Sequence, residues 1–244
     1  MESEALQSEI ARLNEELTKL RDRMDIDHMP GRLAHLRDEL ANAVTHGVGA
    51  VLFMVSVPIL VAYALQHSTV EYAWAAAIFG FTLIITYLSS TLYHSIQHTE
   101  TKRVMRIFDH VSIFLLIGGS YTPVVYRYMP LDFSMPFLTF LWSIVGIGCI
   151  FKTFYTGRFR LASTMVYVVL GFMVVFIIKP LSLHMSAATL TLLAVGGLSY
   201  AAGVPFYIFK RLKYNHAIWH AFVFSGSVLH FCVVWNSALP LARQ

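Results

Sequence analysis

The stretch VTHGVGAVLFMVSVPILVAYAL, Val44–Leu65, runs for 22 residues without an Asp, Glu, Lys or Arg. Crossing about 30 Å of hydrocarbon takes roughly 20 mostly apolar residues in a helix. Six further stretches are mostly apolar over a similar length: Tyr72–Tyr93, Phe108–Tyr128 (with Asp109 and Arg127 near its ends), Phe133–Phe151, Leu161–Ile178, Ala188–Phe209 and His216–Ala238. Helices of a soluble core would carry polar faces at helical spacing, and these segments have none. The sequence therefore predicts an all-α membrane protein, a bundle of seven transmembrane helices.

Composition agrees. Of 244 residues 57% are hydrophobic and 13% charged, with mean hydropathy +0.61; a soluble domain carries about 25% charged residues. Ten of the 14 carboxylates lie between Glu2 and Glu39, leaving Glu71, Glu100, Asp109 and Asp132 for the rest of the chain. The first 30 residues contain no apolar h-region, so no cleavable signal peptide is expected. Cys149 and Cys232 sit in apolar runs and imply no disulfide framework.

Lys and Arg set the orientation. The N-terminal segment and loops 2–3, 4–5 and 6–7 hold 15 of the 18 basic residues, against Arg127, Lys179 and Arg243 on the other side. The positive-inside rule then puts the N-terminus in the cytoplasm and the C-terminus outside. It also accounts for the net charge of +4 with no nucleic-acid partner. The segment before the membrane is different in kind. Leu6, Ile10, Leu13, Leu17, Leu20 and Met24 are spaced 4, 3, 4, 3, 4, the a/d pattern of a coiled coil. That spacing fits homo-oligomerisation through residues 4–24, or an amphipathic helix lying on the bilayer or on the chain's own loops. Pro30 and Gly31 should end this helix in a hinge over Asp25–Gly31, with a second short helix over Leu33–Ala43. Three regions are thus expected: residues 1–30, a juxtamembrane helix in 31–43, and the seven-helix domain in 44–244.

Ionisable groups inside a bilayer are costly and usually functional. Helix 2 runs inward, so His94 falls at its cytoplasmic end; helices 3 and 7 start there, which puts Asp109, His216 and His220 at the same depth. His216 and His220, spaced i,i+4 on one helix face, can reach one ion, and Ser90 precedes His94 by the same spacing. Three histidines at one level suggest zinc with an open fourth position for water. The segment reads HAIWH, with Ala217 where a metalloprotease helix carries its Glu base. Glu71 and Asp132 fall in outer loops and Glu100 in an inner loop, which leaves Asp109 as the candidate base; its structural alternative is a carboxylate favoured at a helix N-terminus. His46 is a substitute ligand or a hydrogen-bonded structural group. His110 is assigned to packing or loop contacts. His230, about 15 Å further along its helix than His220, is out of reach of the metal and a candidate for a cavity wall.

The runs SSTLYHS (Ser89–Ser95), FDHVSIFLLIGGSYTPVVY (Phe108–Tyr126) and NHAIWHAFVFSGSVLHF (Asn215–Phe231), with Glu39, Asn42, Thr45, His46 and Gly47 before them, resemble the hemolysin III family. That family is grouped with the progestin and adipoQ receptors, including the adiponectin receptors. The resemblance covers about residues 36–238 and leaves out the heptad segment. It implies that His94, His216 and His220 bind Zn²⁺ near the cytoplasmic face. It further implies that Asp109 and Ser90 hold the zinc-bound water or complete the shell. Alkaline ceramidases are similar at a distance, which implies hydrolysis of a lipid amide or ester, with membrane lipids as surroundings and a lipid-like molecule in the bundle. A non-enzymatic receptor or regulator of membrane state with structural zinc is the alternative. A membrane-damaging hemolysin is the third reading, for which the bundle offers no polar stripe as a conduit. The bacterial inner membrane is the expected location.

Overall fold

The computed structural model describes residues 2–24, 29–209 and 212–239; nothing in it is strand. The helices are α1 (Glu2–Met24), α2 (Met29–His67), α3 (Val70–Ser95), α4 (Thr99–Tyr128), α5 (Leu131–Tyr155), α6 (Arg160–Phe172), α7 (Ile178–His184), α8 (Ala187–Ile208) and α9 (Asn215–Ser237), with a 3₁₀ segment Met173–Ile177 joining α6 to α7. The chain divides into two compact units, Met1–Glu39 and Leu40–Gln244. In the first, α1 is a lone helix stabilised on its polar faces by the i,i+4 pairs Arg12–Glu16 (3.4 Å) and Lys19–Glu15 (2.5 Å).

Among the described residues seven helical spans are long and apolar enough to cross a membrane. Their outward side chains rule out water as the surrounding solvent. Ile147, Trp74 and Phe176 are 67%, 69% and 85% exposed, and a belt of such residues is stable only against lipid. The chain is a multi-pass integral membrane protein.

Several details differ from the sequence expectation. α4 begins at Thr99, so Glu100 lies in its first turn and Asp109 lies inside the helix and not at its N-terminus. Glu71 and Asp132 lie in the first turns of α3 and α5 and not in loops. The short helix over Leu33–Ala43 is continuous with the first span, because α2 begins at Met29 and runs to His67. Pro30 occupies the first turn, where its missing N–H has no helical acceptor anyway, so it starts a helix instead of ending one. Of the expected hinge, residues 25–28 lie outside the described residues. The fifth crossing is longer than Leu161–Ile178: it reaches His184 and is interrupted by the 3₁₀ segment. Lys179 and His184, expected in an outer loop, are therefore residues of α7. Pro180 gives the physical reason, since it cannot donate to the carbonyl of Phe176 and the regular ladder fails just before it. The Tyr121 hydroxyl on α4 meets the break, donating to the carbonyls of Leu170 (3.0 Å) and Gly171 (2.8 Å).

The interior of the bundle is aromatic and aliphatic, with Phe53, Leu60, Phe79, Leu83 and Tyr87 fully enclosed on one side and Val125, Leu141, Val145, Ile177 and Leu181 on the other. Small residues bring the helices close. A Cβ on Gly119 of α4 would lie 2.1 Å from Thr82 Oγ1 of α3, so only glycine permits that crossing. Buried hydroxyls then tie the helices at fixed register: Tyr72 donates to the Val234 carbonyl (2.6 Å), and Tyr87 and Tyr200 both reach Ser227 Oγ (2.9 and 2.8 Å). In hydrocarbon an unmet polar group is expensive, which makes such bonds selective for one packing.

Candidate metal centre and cavity

His94 occupies the last turn of α3, and His216 and His220 the first two turns of α9. The start of α9 is fixed locally. Tyr214 takes the left-handed conformation (φ 56°), and Asn215 Nδ2 donates to the Phe206 carbonyl (2.7 Å), anchoring the turn from α8. The helix ends bring the three imidazoles together, with ring centroids 4.5 to 5.3 Å apart. One nitrogen from each lies within 4.8 Å of the others; His94 and His220 are buried and His216 half-buried. The convergence expected from shared depth is present.

The surrounding atoms orient the rings. His220 Nδ1 donates to the Asn42 carbonyl (3.2 Å) and also lies 3.2 Å from Thr45 Oγ1. That bond fixes the proton on Nδ1 and leaves Nε2 as a lone-pair donor, the usual arrangement of a ligating histidine. The Asn42 carboxamide lies 3.5 Å from His94 Nδ1 through Nδ2, while its Oδ1 is buried with no hydrogen-bond partner. Turned by half a rotation, the same carboxamide accepts the His94 Nδ1 proton and satisfies its oxygen. One residue of α2 would then orient two of the three imidazoles. His46, one turn after Asn42, lies face to face with His220 (centroids 3.5 Å, 17°). It is buried, and neither of its nitrogens has a hydrogen-bond partner.

Three imidazoles suit a borderline-soft divalent cation. Bonds of about 2.0–2.1 Å in a tetrahedral site need nitrogens about 3.4 Å apart, so a spread of up to 4.8 Å closes with modest side-chain rotation. The group could hold a metal ion.

Beside it opens a cavity of about 440 Å³ between α4, α6–α7, α8 and α9. His46, Asp109, His110, His216 and His220 belong to its wall; Val175, Ile178, Leu193 and His230 line it further along. The rest of the lining is almost wholly apolar. His110 is more than a packing contact: its Nδ1 lies 3.8 Å from Asp109 Oδ2, and it shares the cavity wall with Asp109. Tyr167 holds the backbone at this point, donating to the His110 carbonyl (3.1 Å). Ser90 lies one turn before His94, wholly buried, its Oγ without a hydrogen-bond partner. It is not among the residues that line the cavity. His230 does line the cavity and donates through Nε2 to the Leu193 carbonyl (3.3 Å). Sequence reasoning gave Asn42 and Thr45 no role toward the histidines. The signal was available: Asn42, Thr45 and His46 recur at i, i+3 and i+4, which is one helix face.

The sequence profile described as "Haemolysin-III related" matches residues 34–231. The chain belongs to the haemolysin-III-related family. It is 39% identical over 201 residues to the "Hemolysin-3 homolog" of Bacillus subtilis, covering 82% of this chain and 94% of that one. It is 38% identical over 207 residues to "Hemolysin-3" of Bacillus cereus, covering 85% and 94%. A more distant likeness is the human "Monocyte to macrophage differentiation factor", 28% identical over 212 residues, covering 82% and 84%. The matched span contains every histidine of the cluster, Asp109 and His230, and none of α1.

Proposed function

We propose that this haemolysin-III-related protein is a zinc-dependent hydrolase of lipid amides or esters in the bacterial inner membrane, with its site near the cytoplasmic face. The observation that carries the reading is the position of the histidine cluster. Two of the three metal-competent imidazoles, His216 and His220, line an apolar cavity together with the Asp109 carboxylate, and the cavity is large enough for part of an acyl chain. His94, His216 and His220 would hold Zn²⁺. When bound, zinc supplies a Lewis acid and lowers the pKa of water toward neutrality.

The chain's own residues then have separable roles. The apolar lining from Ile113 to Val223 binds the hydrocarbon part of the substrate and excludes bulk water, which strengthens electrostatic interactions at the polar end. Asp109 takes the proton from the attacking water, and His110, 3.8 Å from its Oδ2, orients that carboxylate. Ser90 contributes a buried hydroxyl with no competing partner, suited to orient water or donate to the developing oxyanion. Asn42 and Thr45 hold His220, and Asn42 also holds His94.

The test is hydrolysis by wild type and Asp109→Asn on a panel of ceramides, N-acyl amines and phospholipids, read as released fatty acid. The variant should keep its zinc and lose about 10²–10⁴-fold in rate, the usual contribution of general acid–base catalysis. No release by wild type across the panel, or equal activity in Asp109→Asn, would refute the mechanism.

A second reading, a receptor or regulator with structural zinc, is favoured by one observation. His46 packs on His220 with both nitrogens unpartnered, and as a fourth ligand it would close the shell. Loss of zinc from His46→Ala would support that reading; full retention favours the open site.

A further inference from the structure

The apolar seam on α1 is exposed among the described residues. Leu6, Ile10, Leu13, Leu17, Leu20 and Met24 are each 48–64% exposed, along a helix that is continuous from Glu2 to Met24. This element lies outside the family match, which starts at residue 34, so it is an addition to the seven-helix domain.

We infer that α1 pairs with α1 of a second copy of this chain as a parallel, in-register coiled coil that makes the protein a dimer. The seam assigns Ile10, Leu17 and Met24 to a positions and Leu6, Leu13 and Leu20 to d positions. Leu at d with Ile at a favours two parallel strands. The flanking positions agree. Glu9 and Glu16 fall at g, and Asn14 and Arg21 at e. In a parallel pair each g residue faces the e residue five positions on in the other helix, so Glu16 meets Arg21 twice, once on each side. Glu9 meets Asn14, and no like charges face each other. An antiparallel pair that aligns the same six layers would set Glu9 against Arg23, also at g, but would place Glu16 against Glu16 at the centre of the seam and leave Arg21 without an acidic partner there.

The competing occupant, the bilayer surface, is disfavoured by charge. Residues 2–24 contain six acidic side chains (Glu2, Glu4, Glu9, Glu15, Glu16 and Asp22) against four basic ones (Arg12, Lys19, Arg21 and Arg23). Helices that lie on anionic membranes carry the opposite excess on their polar face. A narrow a/d stripe is also the geometry of a helix–helix seam, whereas an interfacial helix presents a broader apolar face.

The full-length protein in proteoliposomes tests this directly. In a Cys149→Ser, Cys232→Ser background, Leu13→Cys should oxidise to a disulfide-linked dimer, because the same d residue meets itself across a parallel pair. Ser8→Cys, on the opposite face, should not. Light scattering in detergent should give a dimer for wild type and a monomer for Leu13→Asp. Glu16→Arg should weaken the dimer, and adding Arg21→Glu should restore it, a recovery that general loss of helix cannot produce. A monomeric wild type, equal cross-linking at positions 8 and 13, a dimer unaffected by Leu13→Asp, or cross-linking of Leu13→Cys that appears only in anionic vesicles would each overturn the proposal.

Discussion

Replacing Gly196 by alanine should destabilise the bundle, although alanine is the better helix former. Gly196 lies within α8, and a Cβ there would stand 2.4 Å from His230 Cδ2 and 2.7 Å from His230 Nε2. The imidazole has to move, and moving it breaks the bond from Nε2 to the Leu193 carbonyl at 3.3 Å. Forcing an extra methyl into a packed contact costs about 1–3 kcal/mol. The lost hydrogen bond adds about 0.5–1.5 kcal/mol. Against these, alanine gains about 1 kcal/mol over glycine in a helix interior. The clash wins, leaving a net loss of about 0.5–3.5 kcal/mol. The same arithmetic reverses in a His230→Ala background, where the ring is gone and only the helix gain and a 3.3 Å contact with Leu229 Cβ remain. There Gly196→Ala should be neutral or stabilising. Apparent Tm values of the four proteins in one detergent, at one scan rate, complete the double-mutant cycle. An equal Tm change in both backgrounds would show that the imidazole is not what excludes a side chain at position 196, and the argument would fail.

Purified protein should carry about one zinc per chain by elemental analysis. His220→Ala should lose most of that zinc, and chelation should lower the Tm of wild type because metal binds only the folded state. Tyr121→Phe removes the donor that serves the Leu170 and Gly171 carbonyls at the start of the 3₁₀ segment. It should cost about 1–3 kcal/mol, visible as faster amide exchange over residues 170–177 with α3 unchanged. For topology, an impermeant thiol reagent applied outside should label Gln244→Cys and miss Lys102→Cys; the reverse pattern would place the histidine cluster at the outer face.

The seven crossings were legible because lipid leaves a sequence little freedom. A helix in hydrocarbon must be apolar for its whole length, so Val44–Leu65 and its counterparts announce themselves without reference to one another. The meeting of His94 with His216 and His220 was legible for a related reason, since the alternating direction of successive crossings turns position along the chain into depth. What the sequence hid depends on rotation about helix axes and on side-chain reach. Asn42 serves two histidines from a third helix, and nothing in its spacing says which way that face of α2 is turned. His110 joins Asp109 at the cavity wall, which backbone periodicity does not record. The interruption at Met173–Ile177 lies in a run that stays apolar throughout, so hydropathy passes over it; Pro180 was the one mark of it. At the other end of the chain, Pro30 stands in the first turn of α2, a place where proline is compatible with a helix start.

The unequal ends of the cavity restrict how any occupant can be oriented. An amphiphile inside would place its head beside Asp109, His216 and His220 and its chain toward Val175 and Leu193, because the far end offers a polar head only His230, whose Nε2 is already bonded to the Leu193 carbonyl. That is also how a lipid stands in the leaflet that faces the histidine end of the bundle. Under the proposed function, a molecule from that leaflet would fit the cavity without turning over. A molecule from the opposite leaflet would arrive upside down, and would first have to carry its head group across the hydrocarbon. Under that proposal, the location of a few imidazoles and one carboxylate would favour lipids of one leaflet over the other.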